Sequence, residues 1–291
     1  MSADSMIHPP AGSVAAQEEL DAVKARNASL SQAVLEREHL ILRREQSLRE
    51  YEQTISQIER VFGHSPTWLA RAPGVAFGEA PVAAQIDVVM PALQGWCTPR
   101  KAYWMAELIQ SVPTGRPIVE VGVFGGKSLL PIAIAAKACG VPAVYGVEPW
   151  SNQIAVETPT TEINDSYWST LDFPAIKKNF LAVLIATGLQ DIVKILEVPA
   201  DDANRLLRGE RFAPFSLIHI DGSHSEAQAL ADVTAWAPLL APGGVLVMDD
   251  ILWPSVAKAR AWLHDSMAIV AEVIENGADG QQIGYGAYRR R

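Results

Sequence analysis

From Glu18 to Phe62 the chain contains neither proline nor glycine and is built largely of Glu, Arg, Gln, Leu and Ala, so one long helix is predicted. With Leu20 at heptad position a, the later a positions are Asn27, Val34, Ile41, Leu48, Ile55 and Phe62, apolar in every case but Asn27. The d positions, Val23, Leu30, Arg37, Arg44, Tyr51 and Ile58, are interrupted by two arginines. So narrow a stripe gains little against one small domain but is buried by pairing with a copy of itself, Asn27 setting the register. Residues 17–62 are therefore expected to form a coiled-coil helix through which the protein self-associates, roughly 65 Å long at ~1.5 Å per residue. The alternative is a helix folded back on its own domain, with Asn27 facing solvent. Residues 1–16, rich in Pro, Ser, Gly and Ala without a period, are expected to be a disordered tail. Residues 63–98 read as a linker and cap segment: GHSPTWLARAPG carries helix-ending punctuation, and VAAQIDVVMPALQGW is either a short helix or a strand.

Beyond Thr98-Pro99, a helix N-cap and first-turn pair, RKAYWMAELIQSV has apolar residues at helical spacing. PIVEVGVFGGKSLLPIAIAAKACG then reads as strand, glycine-rich turn and apolar helix. AVYGVEP, IVKILEVP, FSLIHID and GGVLVMDD follow as strands two to five with helical stretches between them, and AIVAEVIE and QIGYGAYRR as a closing strand pair. This alternation predicts an α/β fold over residues 99–291: a mostly parallel sheet, last strand antiparallel, with helices on both faces. Ligands of such sheets bind beyond the C-terminal strand ends, near the switch point of strand order.

Length and composition agree with one such domain plus an accessory arm: 291 residues, 49% hydrophobic and 20% charged. A net charge of -9 offers no attraction to a polyanion, so nucleic acid is not an expected partner. Cys97 and Cys139 lack any disulfide or zinc-ligand spacing and read as reduced thiols. No signal-peptide pattern opens the sequence and no apolar run is long enough to span a membrane, so a cytoplasmic location is expected.

The first strand closes in EVGVFGGKS, Glu120 to Ser128, of the form E-x-G-x-x-x-G-x-S. Glycines at Gly122 and Gly126 permit close backbone approach to a ligand, and amides at the next helix start suit a carboxylate. Phe124 stands where a G-x-G-x-x-G site has its second glycine, which disfavours an ordinary NAD site. The second strand ends at Glu148, about twenty residues on, where a carboxylate can accept from both hydroxyls of a ribose. These features resemble motifs I and II of the class I S-adenosylmethionine (SAM) dependent methyltransferases. The resemblance implies SAM as the methyl donor, held at Glu120, Gly122, Gly126, Ser128 and Glu148. It further implies an adenine contact near Asp201, for which a helix N-cap is an equal reading.

IHIDGSHSEAQALADVTAWAPLLAPGGVLVMDDI, from Ile218 to Ile251, resembles the macrocin O-methyltransferase branch and, more distantly, catechol O-methyltransferase. There an aspartate at the fourth strand end and an acidic pair at the fifth bind magnesium, which implies Mg2+ at Asp221, Asp249 and Asp250. Neighbouring strand ends lie ~5 Å apart, so their carboxylates can converge on one hard cation. Such an ion would lower the pKa of an acceptor hydroxyl and orient its oxygen. His224, three residues after Asp221, is a candidate base, with helix capping or a role behind the metal as alternatives. Asp250 has the further reading of a structural hydrogen-bond acceptor. His219 alternates with Ile218 and Ile220 inside the fourth strand and is expected to pack in the core. Pro242-Gly243-Gly244 is expected to turn the chain from helix to strand.

The insert PWSNQIAVETPTTEINDSYWSTLDFP is expected to be a lid or substrate wall. Trp150, Tyr167, Trp168 and Trp253 are candidates to stack on an acceptor ring, with core packing as the alternative. The expected activity is O-methylation of a hydroxyl on a sugar or secondary metabolite, the acceptor being a small molecule or glycan. The competing readings are a non-catalytic SAM-fold domain on a coiled-coil scaffold and a nucleotide-dependent enzyme of related fold.

Overall fold

The computed structural model describes residues 20–32, 34, 77–156, 162–208, 214–277 and 280–291. Residues 20–32 form helix α1. Its heptad positions Leu20, Val23 and Leu30, together with Val34, are exposed. The tail over residues 1–16 and the heptads beyond Val34 lie outside the described residues.

A second compact unit contains the sheet. It begins before Thr98: Val82–Val89 is helix α2, not a strand. Ile86, Val89, Met90 and Leu93 fall on one side at helical spacing, and all four are buried in the same core as α/β residues such as Ile118 and Leu129. Next comes α3 (Pro99–Gln110), capped by Thr98, whose Oγ1 accepts from the Lys101 amide at 3.0 Å.

β1 (Ile118–Val121) leads through the glycine turn into α4 (Leu129–Ala138). β2 (Val144–Val147) is followed by two short helices where a lid was expected, α5 (Asn152–Ala155) and α6 (Glu162–Thr170), and residues 157–161 between them lie outside the described residues. The Asn152 side-chain amide ties the two by donating to the carbonyls of Trp168 (2.9 Å) and Leu171 (3.0 Å). The chain continues through α7 (Phe173–Ala186), β3 (Val193–Leu196), α8 (Ala200–Leu207), β4 (Phe215–Ile220) and α9 (Glu226–Trp236). It closes with β5 (Leu240–Met248), α10 (Ala257–Ser266), β6 (Ala268–Asn276) and β7 (Gln282–Arg289).

The seven strands lie in the order β3-β2-β1-β4-β5-β7-β6. β1 to β5 are parallel, and β7 runs antiparallel between β5 and β6. Strand order reverses between β1 and β4, so the turns after these strands face one crevice. Separate apolar cores cover the two faces of the sheet, one including α2, α3, α4 and α7, the other α8, α9 and α10. That double cover explains why every residue of β4 is buried, polar ones included.

Pro242-Gly243-Gly244 does not precede β5 but lies within it. Between paired positions Phe215↔Leu240 and Leu217↔Val245 the fifth strand uses five residues where the fourth uses two. The Pro-Gly-Gly run is a bulge, with Gly243 at φ 75°.

Candidate active site

The turn after β1 is bound to both neighbouring strand ends. Gly122, at φ 90°, donates to the Val147 carbonyl at 2.9 Å, and the Asp221 amide donates to the Val121 carbonyl at 2.8 Å. The space a side chain at Gly122 would need is filled by the Asp221 backbone, and at Gly126 (φ 79°) by the Phe180 ring. The glycines therefore have a packing role the sequence did not reveal: Gly122 lets the β4 end press against the β1 turn.

Glu148 closes the turn from the β2 side. Its Oε2 accepts from the Phe124 amide and its Oε1 from the Trp150 amide, each at 2.9 Å, and the Trp150 indole donates to the Phe124 carbonyl at 2.8 Å. Phe124 and Trp150 have φ of 47° and 43°, conformations that non-glycine residues rarely adopt, so one carboxylate holds two strained residues. Burial pushes the Glu148 carboxyl above its usual range. Its oxygens keep lone pairs beyond those used by the two amides, so the residue suits the hydroxyls of a nucleoside.

Glu120 and Ser128 are directed toward each other. Ser128 Oγ donates to Glu120 Oε1 at 2.7 Å, and Glu120 is completely buried. Its other oxygen lies 3.3 Å from His219 Nδ1, while His219 Nε2 lies 3.4 Å from Asp249 Oδ2. The same Asp249 oxygen receives the ammonium of Lys101, whose Nζ is 3.7 Å from Asp221 Oδ2. A chain of alternating charge, Glu120, His219, Asp249, Lys101 and Asp221, thus runs beneath the ends of β1, β4 and β5.

Burial alone would lower the pKa of His219, but Asp249 and Glu120 outweigh it and hold the imidazole at about 9, as a cation. Lys101 likewise stays above its ordinary value, because Asp249 and then Asp221 outweigh the cost of burial. Against the same cost, Lys101 and His219 hold Asp249 far below the usual carboxylate range. Burial and then Asp249 push Asp221 upward. Neither Lys101 nor His219 was foreseen as a site residue, and His219 is more than the packing residue expected.

Asp250 points elsewhere. At φ 53° it turns its carboxylate to His224, Oδ2 lying 2.6 Å from Nε2, and the His224 ring lies against Trp253 with centroids 4.8 Å apart. The N-cap of α9 is Ser225, so His224 is not the capping residue. The turn after Asp250 is closed by its backbone carbonyl, which accepts from the Trp253 amide at 2.8 Å, and not by its side chain.

The expected magnesium trio does not fit this arrangement. Asp221, Asp249 and Asp250 do not converge as open carboxylates: potential ligand atoms fall into an inner group, His219, Asp221 and Asp249, and an outer one, Asp221, His224 and Asp250. In the inner group Asp249 already faces a buried ammonium and an imidazolium. In the outer one the imidazole nitrogen and a carboxylate oxygen are hydrogen-bonded to each other. A dication would meet cations in the first and a closed pair in the second.

Asp201 is exposed in the first turn of α8, whose N-cap is Pro199, and its Oδ1 is 3.4 Å from Gln228 Nε2. Of the aromatic candidates, Trp150 is buried against Phe180, and Trp168 stacks on Phe173 with ring planes 9° apart. Tyr167 and Trp253 are exposed. Trp96, which the sequence did not single out, is 63% exposed and stacks on Phe124 at 5.2 Å.

Residues 119–251 match the family model described as a methyltransferase domain. No curated protein sequence matches the chain. The solved O-methyltransferase TomG from Streptomyces achromogenes, in complex with SAM, superposes with a TM-score of 0.51 at 16% identity, over 77% of this chain and 95% of that one. Rv0187 from MTB, cofactor-bound, gives 0.49 at 18% identity over 77% and 94%, and a Bacillus cereus O-methyltransferase with SAH gives 0.48 at 17% over 81% and 100%. At these identities a superposition speaks to fold, and TomG shares it. Among the described residues no helix is long and apolar enough to cross a membrane. The stretch that matches a methyltransferase domain thus spans the β1 turn, Glu148, Asp221 and the Asp249-Asp250 end, on a sheet of this strand order.

Proposed function

We propose that this domain transfers a methyl group from SAM to a hydroxyl oxygen of a small-molecule or glycan acceptor, a sugar or a secondary metabolite. One observation carries the reading: the methyltransferase match ends at the β5 end, where Asp250 meets His224 from the turn after β4. TomG, described as involved in tomaymycin synthesis, is an O-methyltransferase of the same fold. When bound, SAM supplies an electrophilic methyl on a sulfonium. Glu148 accepts from the ribose hydroxyls, and the β1 turn and the start of α4 receive the amino acid end. Asp201 is the adenine-side candidate.

His224, oriented by Asp250, takes the proton of the acceptor hydroxyl as its oxygen attacks, and Asp250 stabilises the imidazolium that forms. Asp221, at the mouth of the buried chain of charge, orients the acceptor. Tyr167, Trp253 and Trp96 offer exposed rings on which a sugar or polyketide ring can stack. Magnesium assistance is left out of this reading, since Lys101 and His219 already neutralise Asp249. Self-association through residues 17–62 belongs to the proposal and is supported by the exposed apolar heptad positions of α1. Light scattering on a chain lacking residues 1–62 tests it, an unchanged oligomeric state counting against it. A cytoplasmic site of action goes with the two free cysteines.

The reading is tested by following S-adenosylhomocysteine release with a panel of saccharides and polyhydroxylated metabolites. Turnover on a hydroxyl, lowered about 100-fold in His224→Ala, is expected. Turnover on amines alone, or full activity in His224→Ala, would contradict it.

A further inference from the structure

Building on the methyltransferase reading, we infer that Lys101 is a built-in cation standing against Asp221 and Asp249 where a divalent ion would otherwise bind, so that this pair recruits no metal. The lysine is placed by the fold. It lies in the first turn of α3, its amide fixed to Thr98 Oγ1, and Thr98 is itself held by Glu275 of β6 at 2.6 Å. The residue is 4% exposed, in the same stripe as Ala102, Met105 and Ala106, and the Tyr285 ring lies 5.8 Å from its ammonium. A lysine so buried persists only when paired. Its partners are the two carboxylates that the β4 and β5 ends present side by side.

Charge accounting leads to the same conclusion. Asp221 and Asp249 both face the Lys101 ammonium, and Glu120 and Asp249 both face His219, so no carboxylate of the inner site is left without a basic partner. A dication added at Asp249 would sit beside a buried ammonium in a medium that screens repulsion poorly. Lys101 is thus a positioning residue. It stands as one cation between the Asp221 and Asp249 carboxylates, tying the two strand ends together.

The test is Mn2+ binding followed by electron paramagnetic resonance, without SAM, on the full chain as wild type, Asp249→Asn and Lys101→Met. The expected result is identical Mn2+ binding by wild type and Asp249→Asn, and a new site in Lys101→Met, where two carboxylates have lost their cation. Mg2+ should also raise the thermal midpoint of Lys101→Met by about 5 °C or more while leaving that of wild type unmoved. A wild-type Mn2+ site that disappears in Asp249→Asn would overturn the inference, as would a folded Lys101→Met that gains none. Should Lys101→Met fail to fold, the comparison of wild type with Asp249→Asn still decides. SAM binding by calorimetry is measured in parallel. Its absence sinks the methyltransferase reading and leaves the metal result standing by itself.

Discussion

Asp249 and Asp250 are neighbours in the chain and each faces a histidine, yet they belong to different environments. Asp249 directly follows β5 with 9% of its side chain exposed, between His219 of β4 and Lys101 of α3. Asp250, one residue on, leaves the strand at φ 53° and meets His224 with both side chains about a quarter exposed. The inner pair is locked by cations that the fold cannot withdraw. The outer pair, joined by the His224–Asp250 hydrogen bond, has solvent on one side. A strand end thus gives two like residues two settings: a buried electrostatic floor and, at its rim, the pair proposed for proton transfer.

Replacing a floor residue should cost the most stability. Lys101→Met leaves Asp249 buried without its ammonium, and a loss of about 3–5 kcal/mol is expected in denaturant unfolding. The rim should behave the other way. Asp250→Asn keeps a residue type that accepts the left-handed backbone but removes the charge beside His224. Turnover is expected to fall by about 100-fold while unfolding free energy changes by less than about 1 kcal/mol. Equal losses of stability in the two variants would erase the distinction.

The floor also makes a prediction about pH. His219 is held at about 9 in the folded protein, above its ordinary value of 6.5. Its contribution to stability is fully present below the unfolded value and is lost as pH rises through the folded one. The thermal midpoint should therefore decline between pH 6.5 and 9, and the decline should shrink in His219→Asn. For Asp249 the sign is reversed. Its lowered pKa gives stability above the ordinary carboxylate value that is lost as pH falls below it. The smallest effect is expected at Lys258, whose pairing with Glu226 at the start of α9 is largely exposed. Lys258→Ala should change unfolding free energy by under about 1 kcal/mol, and a larger loss would show that rim charges matter more to the fold than is argued.

The sheet was legible because buried parallel strands read as short apolar runs, and the Glu120–Ser128 turn, Glu148 and the acidic strand ends stand where those runs stop. Lys101 was not legible in the same way. A lysine in the first turn of an amphipathic helix reads as a solvated residue, although Met105 and Leu108, four and seven residues on, place it in the buried stripe. His219 was hidden for a related reason. In a strand covered on both faces, alternation with Ile218 and Ile220 says nothing about whether a polar neighbour waits, and Glu120 and Asp249 come from other strands. Pro242-Gly243-Gly244 read as a turn because a bulge uses the same residues. In the α2 segment a single apolar run fits either period, and contact with the α4 side of the sheet decides for a helix.

Calorimetric titration of SAM and S-adenosylhomocysteine into wild type and Glu148→Gln tests the central claim most directly. The account predicts that wild type binds both and that Glu148→Gln, having lost the charged acceptor for the ribose hydroxyls, binds them roughly 10- to 100-fold more weakly. Absence of binding by wild type, or equal affinity in Glu148→Gln, would contradict it.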